Sequence, residues 1–269
     1  MKIKNKNIMI VSIVFLAFIF VILNIVKLDD KYYFRFCTEV SVNTCTDKDA
    51  QILETMPFIR KLAINVCLSQ DIDFLENKKG LSELSILKFN GDWSPLKKCT
   101  ALRSFTTTNS SFDDLTYFEN MTELEELNLA LLSNDVSVAG KRGIEKLDSL
   151  KYLHLNGLKE NNVNEINSLF SLEQLELSSC DITSLEICSD KLRSLKLSHD
   201  TQLTECTFKE SCVSLECLII YDCPQIAVDV GELSELPCLK EINIPQGMIS
   251  DDEIELLKNE GIKVTINKI

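Results

Sequence analysis

Eleven cysteines and two histidines carry most of the reactive chemistry in this 269-residue sequence. A thiol can join a disulfide, ligate a metal or act as a nucleophile, and each use demands its own spacing. Metal binding asks for paired ligands at short spacing, and no C-x-x-C occurs. Nucleophilic catalysis asks for a base beside the thiol, but the two imidazoles, His154 and His199, stand apart from any cysteine motif. Cys37 and Cys45, eight residues apart, are candidates for a disulfide, as are Cys188 and Cys212; the alternative is that all remain reduced thiols. The odd count leaves at least one thiol unpaired within a monomer. Glu123, Glu125 and Glu126 read as a solvated strand end rather than a metal site. No P-loop, G-x-S-x-G, H-E-x-x-H or kinase signature occurs. The residues therefore point to no catalytic centre, no metal and no cofactor.

What elements would position these residues? Hydrophobic residues make up 45% of the chain and charged residues 26%, a globular balance. The net charge of -13 disfavours nucleic acid as a partner. Residues Ile8 to Val26 are apolar except for Ser12 and Asn24, and as a helix would span about 28 Å, near the thickness of a bilayer core. Lys2, Lys4 and Lys6 precede them, so the expected orientation keeps residues 1–7 as a basic cytoplasmic tail and the rest outside. No small-x-small site follows, which favours an uncleaved anchor at 8–26 over a cleaved signal. Removing the three lysines leaves -16 beyond Val26, a domain repelled by anionic headgroups. Residues 27–46 read as a stem and N-terminal cap.

Thirty-nine leucines recur in the pattern L-x-x-L-x-L. Nine copies start at Ile59, Leu84, Leu102, Leu124, Leu150, Leu172, Leu192, Leu215 and Leu239; the second reads Leu84, Leu87, Phe89. A degenerate tenth strand follows at Ile262, Val264 and Ile266. Positions 4 and 6 alternate with a polar 5, the period of a half-buried strand. One such strand buries too little to fold alone, whereas stacked neighbours make a continuous core. Over Asp47 to Ile269 the chain resembles the leucine-rich repeat family, most clearly in LEQLELSSCDI (Leu172–Ile182) and LECLIIYDC (Leu215–Cys223). The resemblance implies an α/β solenoid, a horseshoe with a parallel concave sheet of about nine to ten strands, preceded here by the transmembrane helix. Cys67, Cys180 and Cys223 at its ninth position read as buried thiols; Asp92, Ser110, Leu132, Leu158, Asp200 and Gly247 elsewhere predict irregular turns. Helical returns are expected at Asp47–Met56, Asn162–Phe170 and Asp251–Asn259, each opened by a capping Asp or Asn, and a turn or 3-10 return at Asp92–Cys99.

The concave face of such a solenoid is an extended binding surface, exposing positions 3 and 5. Its centre carries Glu126, Asn128, Tyr152, His154, Gln174 and Glu176, a polar patch that includes one aromatic ring and one imidazole. The plainer account is that they only keep the sheet soluble. The resemblance implies a non-enzymatic scaffold binding a protein ligand there, tethered to a membrane by its N-terminal helix. The alternatives are a secreted form after cleavage, a structural surface protein without a specific ligand, and an enzyme borne on the solenoid, for which the repeats leave no catalytic domain.

Overall fold

The computed structural model describes residues 2–111, 115–130, 144, 146–157 and 166–267, and in the first helix the side chains from Ile13 onward. Helix α1 (Lys2–Leu23) comes first. A hairpin follows, of β1 (Ile25–Leu28) and β2 (Lys31–Phe34), which pair antiparallel. Then come β3 (Glu39–Cys45), α2 (Asp47–Glu54), β4 (Lys61–Cys67), β5 (Glu83–Ile86), β6 (Ser104–Thr108), β7 (Glu126–Ala130), β8 (Tyr152–Asn156) and β9 (Gln174–Ser178). The chain continues through β10 (Ser184–Ile187), β11 (Ser194–Ser198), β12 (Glu205–Phe208), β13 (Cys217–Tyr221), α3 (Val230–Glu235), β14 (Glu241–Pro245), α4 (Asp251–Asn259) and β15 (Lys263–Asn267). An 11-stranded parallel sheet runs in the order β15-β14-β13-β11-β9-β8-β7-β6-β5-β4-β3, while β10 and β12 pair separately on the return side.

The ladder registers fix the repeat. Leu127, Leu153, Leu175 and Leu195 lie opposite one another, and all are buried. The same ladder corrects the sequence reading twice. Leu62 pairs with Leu84, so the second repeat is Leu81, Leu84, Ile86 rather than Leu84, Leu87, Phe89. Both registers match the apolar template; burial of Leu81, Leu84 and Ile86 selects the first and evens the spacing. Val40 pairs with Leu62, so an unrecognised repeat (Cys37, Val40, Val42) opens the sheet, which has eleven strands rather than nine or ten. Its leading residue is a cysteine where the template expects leucine, which hid it.

The turns follow one form in six repeats, more regular than position 9 predicted, whereas Thr44, Val66 and Gln246, the eighth residues of the repeats opening at Cys37, Ile59 and Leu239, do not share it. The eighth residue takes a left-handed backbone at Lys88, Asn109, Gly157, Ser179, His199 and Asp222. In five of these repeats its amide donates to the seventh-position carbonyl of the next, as from Lys88 to Thr108 at 2.9 Å and from His199 to Tyr221 at 3.0 Å. The ninth side chain turns inward: Cys45, Cys67, Phe89, Ser110, Cys180, Asp200 and Cys223 are all buried. On the return side, α2 starts on a reciprocal cap in which Asp49 N–H donates to Thr46 Oγ1 and Thr46 N–H donates to Asp49 Oδ2. Helix α4 matches its expected bounds and α2 stops at Glu54 rather than Met56, but the caps are Ser250 and Thr46 rather than the Asp that follows each; Ser94–Lys98 is a 3-10 turn, and the first four residues of the helix expected at Asn162–Phe170 lie outside the described residues.

The N-terminal helix ends three residues before the expected Val26. Asn24 Nδ2 turns back to donate to Phe20 O at 2.7 Å, and Ile25 and Val26 instead pair with Phe34 and Tyr33. β-Branched residues suit that strand better than a last helical turn. From Ile13 to Leu23 the large apolar side chains of α1 other than the half-buried Ile19 are exposed by 46–69%. Among the described residues no helix is long and apolar enough to cross a membrane, and those of α1 begin only at Ile13.

Candidate binding surface

Strands β7, β8 and β9 bring together all six residues expected at the concave centre. Glu126, Tyr152 and Gln174 stand in one cross-strand row, and Asn128, His154 and Glu176 in the next. The parallel register does this: position 3 meets position 3, and position 5 meets position 5.

Their contacts set the chemistry. Tyr152 Oη donates to Glu176 Oε2 at 3.3 Å, and Lys196 Nζ forms an ion pair with Glu176 Oε1. Burial works against the Glu176 carboxylate, but the Lys196 ammonium, His154 and the Tyr152 hydroxyl together hold its pKa below the usual carboxylate range. Burial, followed by the Glu176 charge, pushes the Tyr152 hydroxyl up to about 12, so it is a neutral donor. His154 Nε2 lies 3.2 Å from Ser178 Oγ. Burial pulls the His154 imidazole below its ordinary value, and Lys196 adds to this against Glu176. Glu126 is engaged elsewhere, accepting from Ser104 Oγ at 3.0 Å. Asn128 Oδ1 is buried without a hydrogen-bond partner. Beside this patch a shallow depression of about 420 Å³ is lined by Glu125, Glu126, Lys151, Tyr152, Glu173 and Gln174.

Position 2 edges the same face with alternating charge: Arg103, Glu125, Lys151, Glu173, Arg193, Glu216 and Lys240. Lys151 meets Glu125 at 2.7 Å, and Lys240 meets Glu216 at 2.5 Å. These pairs are solvent-exposed and each contributes little to stability.

Sequence reasoning missed a second concave hollow of about 410 Å³ over β3 to β6. Its floor is the small position-5 row of Ser41, Ala63, Ser85 and Thr106, with Glu39, Lys61 and Glu83 along one side. The slipped second repeat had placed Ile86 and Lys88 where Glu83 and Ser85 stand, and β3 had not been recognised. A correct register was the one signal needed to find it.

The eleven cysteines are free thiols. Cys45 ends β3 and Cys37 lies two residues before its start, so the length of the extended strand holds them apart and they do not bond. Cys212 Sγ instead donates to Ile187 O at 2.9 Å and Cys188 Sγ to Glu186 Oε1 at 3.5 Å. Cys67, Cys180 and Cys223 are buried, as expected. Among the described residues no group of three His, Cys, Asp or Glu side chains is placed to hold a metal ion.

No protein-family model matches the sequence, and no curated protein matches it. Solved structures do. An internalin (inlF) from Listeria monocytogenes aligns with a TM-score of 0.55 at 20% identity, over 75% of this chain and 57% of that one. The leucine-rich repeat ectodomain of the plant membrane receptor kinase GASSHO1/SCHENGEN3 from Arabidopsis thaliana, solved in complex with CASPARIAN STRIP INTEGRITY FACTOR 2, aligns with a TM-score of 0.56 at 18% identity. That match covers 84% of this chain and 30% of the ectodomain. The chain thus spans little more than half of the internalin and under a third of the ectodomain. At these identities the likeness shows the fold: a leucine-rich repeat solenoid.

Proposed function

We propose that this chain is a non-enzymatic scaffold that binds a protein on its concave face, tethered to a membrane by α1 with the repeats facing away from the cytoplasm. The observation that carries the binding reading is the row of His154, Glu176 and Lys196 joined through Glu176 to Tyr152 of the neighbouring row, a half-buried polar cluster with an aromatic ring at the middle of a curved sheet. Tyrosine there supplies both contact area and a hydrogen-bond donor, the usual makings of an interface anchor. Support for the tether is the exposure of nearly all the apolar side chains along the described part of α1, Ile19 alone being half-buried, and the lysines that precede them.

The test is capture of a protein ligand by the full chain, compared across variants. Tyr152→Ala is expected to weaken binding roughly thirtyfold, the effect of losing a central anchor of about 2 kcal/mol. Lys209→Ala and Glu210→Ala, beside the β10–β12 pair on the return side, are expected to leave it unchanged. Full retention in Tyr152→Ala with loss in the return-side variants would move the site off the concave face. The hollow over β3 to β6 supports a second reading, in which the ligand lies on the Ser41–Thr106 row. There Ala63→Arg, which fills that hollow, would abolish binding while Tyr152→Ala would not.

A further inference from the structure

The outward face of the β1–β2 hairpin is apolar where water would favour a polar one. Strand side chains alternate. Val26 and Leu28 are buried against the solenoid. Tyr33 on the paired strand reaches Ser41 of β3. The opposite face therefore presents Ile25, Tyr32 and Phe34, which are 45, 73 and 38% exposed, with Lys27 as its one charged member, across from Tyr32 and paired with Asp30 at 3.5 Å. That face does not end with the hairpin. Phe34 meets Phe36 with ring centroids 5.3 Å apart, Phe36 meets Phe58 at 5.8 Å, and Phe58 is itself 56% exposed. Phe20, one turn before the end of α1, joins both Phe34 at 6.5 Å and Phe36 at 6.2 Å. Helix, hairpin and the turn after α2 thus share one aromatic cluster.

We infer that this cluster is a seat on a lipid bilayer: Phe20, Tyr32, Phe34, Phe36 and Phe58 rest in the interfacial layer and fix the end of the solenoid flush against the membrane from which α1 emerges. The inference rests on the tether proposed above and adds a contact surface to it. Two features select lipid as the occupant. First, the exposed apolar residues of α1 run consecutively through Phe20, Val21, Ile22 and Leu23. At 100° per residue they point in every direction, so a groove on one protein would cover only one side of the helix, whereas acyl chains surround it. Second, only Asn24 separates that helix from Ile25, so the medium around Leu23 reaches the hairpin face without a break. Aromatic rings flanking an apolar helix are what an interface favours. The strong negative charge of the repeats had implied a domain standing off the surface; an uncharged aromatic contact explains how one end can nonetheless touch it.

The experiment uses the full chain in phosphatidylcholine vesicles that carry bromine on their acyl chains, with a tryptophan reporter. Phe58→Trp adds one to the buried native Trp93, and Leu256→Trp, on the exposed face of α4, is the far-end control. The expected result is loss and blue shift of the Phe58→Trp emission, with Leu256→Trp emission and that of the unsubstituted chain unchanged. Emission from Phe58→Trp that survives in chain that floats with the vesicles, and that aqueous iodide quenches, overturns the seat and leaves the tether. Protection from both quenchers with a dimeric chain would assign the face to a second copy and also overturn it. A chain that does not float with the vesicles overturns the tether, and the seat falls with it.

Discussion

Asp200 stands where this kind of repeat usually places asparagine, and its chemistry shows why the difference matters. The side chain is buried; Oδ1 accepts from Cys180 N–H at 2.5 Å, while Oδ2 is buried without a partner. Burial raises its pKa above the ordinary 3.8, more than the bonds from Cys180 lower it. An acid whose folded pKa is raised stabilises the fold only while protonated. Its contribution is present below about pH 4 and is lost as pH rises through the folded value. Asp200→Asn keeps the acceptor for Cys180, removes the charge, and is expected to stabilise the protein at pH 7 by about 1–3 kcal/mol in denaturant unfolding. The gain should shrink in acid, and a variant less stable at both pH values would refute this account. Lys78 is the mirror case. It is fully buried, its Nζ donates to Leu53 O at 2.9 Å, and burial pulls its pKa down to about 8 from 10.5. The unfolded chain holds that proton more tightly, so stability rises between about pH 8 and 10.5. Neighbouring repeats carry Met56, Cys99 and Met121 at the same place, all buried. Lys78→Met should remove the alkaline rise and stabilise the protein at pH 7 by roughly 1–3 kcal/mol, since it removes a buried charge that a single carbonyl offsets only in part. An alkaline rise that persists in Lys78→Met would assign it to another group. Asp200 was visible in the sequence as a ninth-position residue, but its unpaired oxygen was not. Lys78 was invisible, because the slipped second repeat moved it out of its core column.

Ten of the sheet's eleven strands were legible because apolar positions 4 and 6 recur at the repeat spacing; β1, β10 and β12 alternate in the same way but fall outside that spacing and were not. The register of one repeat was not, since Leu81 to Phe89 satisfies the template twice. The turns failed for a different reason. Position 9 varies in residue type, but the turn is held by the backbone of position 8, whose left-handed conformation carries no fixed residue signature: Lys88, Asn109, Ser179, His199 and Asp222 share it with Gly157. Five non-glycine residues in a region that penalises a Cβ imply a regular cost, offset by the carbonyl ladder. Glycine adopts that conformation freely. Lys88, whose side chain is exposed at φ 58°, is therefore a site for improvement. Lys88→Gly should raise stability by about 0.5–1 kcal/mol in denaturant unfolding, and Ser85→Gly, three residues earlier inside β5, should lower it by a similar amount. Two changes of the same sign would show that the turn is not strained.

At the scale of the molecule a solenoid is a stack of nearest-neighbour contacts, and its ends are where such a stack fails. The periodic sequence announced the stack and was silent about the ends, because each end is closed by particular side chains rather than by a pattern. At the last strand, α4 supplies the closure, its start fixed by Ser250 and Glu253 capping each other and Ile262 N–H donating to Leu257 O at 3.0 Å. At the first strand the work falls to the hairpin. β3 is an edge, and an open edge invites another strand. Tyr33 Oη receives Ser41 N–H at 3.2 Å and donates to Ser41 O at 2.5 Å, while Asp29 Oδ2 receives Asn43 N–H at 3.3 Å. Two side chains thus do for this edge what a twelfth strand would do. Tyr33→Phe keeps the ring and removes both bonds to Ser41. Losing them should cost about 1–2 kcal/mol, and hydrogen exchange at Ser41 should speed up roughly tenfold or more. Because the coupling runs only to neighbouring repeats, amides of β9 should exchange at the unsubstituted rate. Uniform acceleration along the sheet would mean that the hairpin holds the whole stack together rather than one edge, and an unchanged rate at Ser41 would mean that water replaces the hydroxyl at no cost.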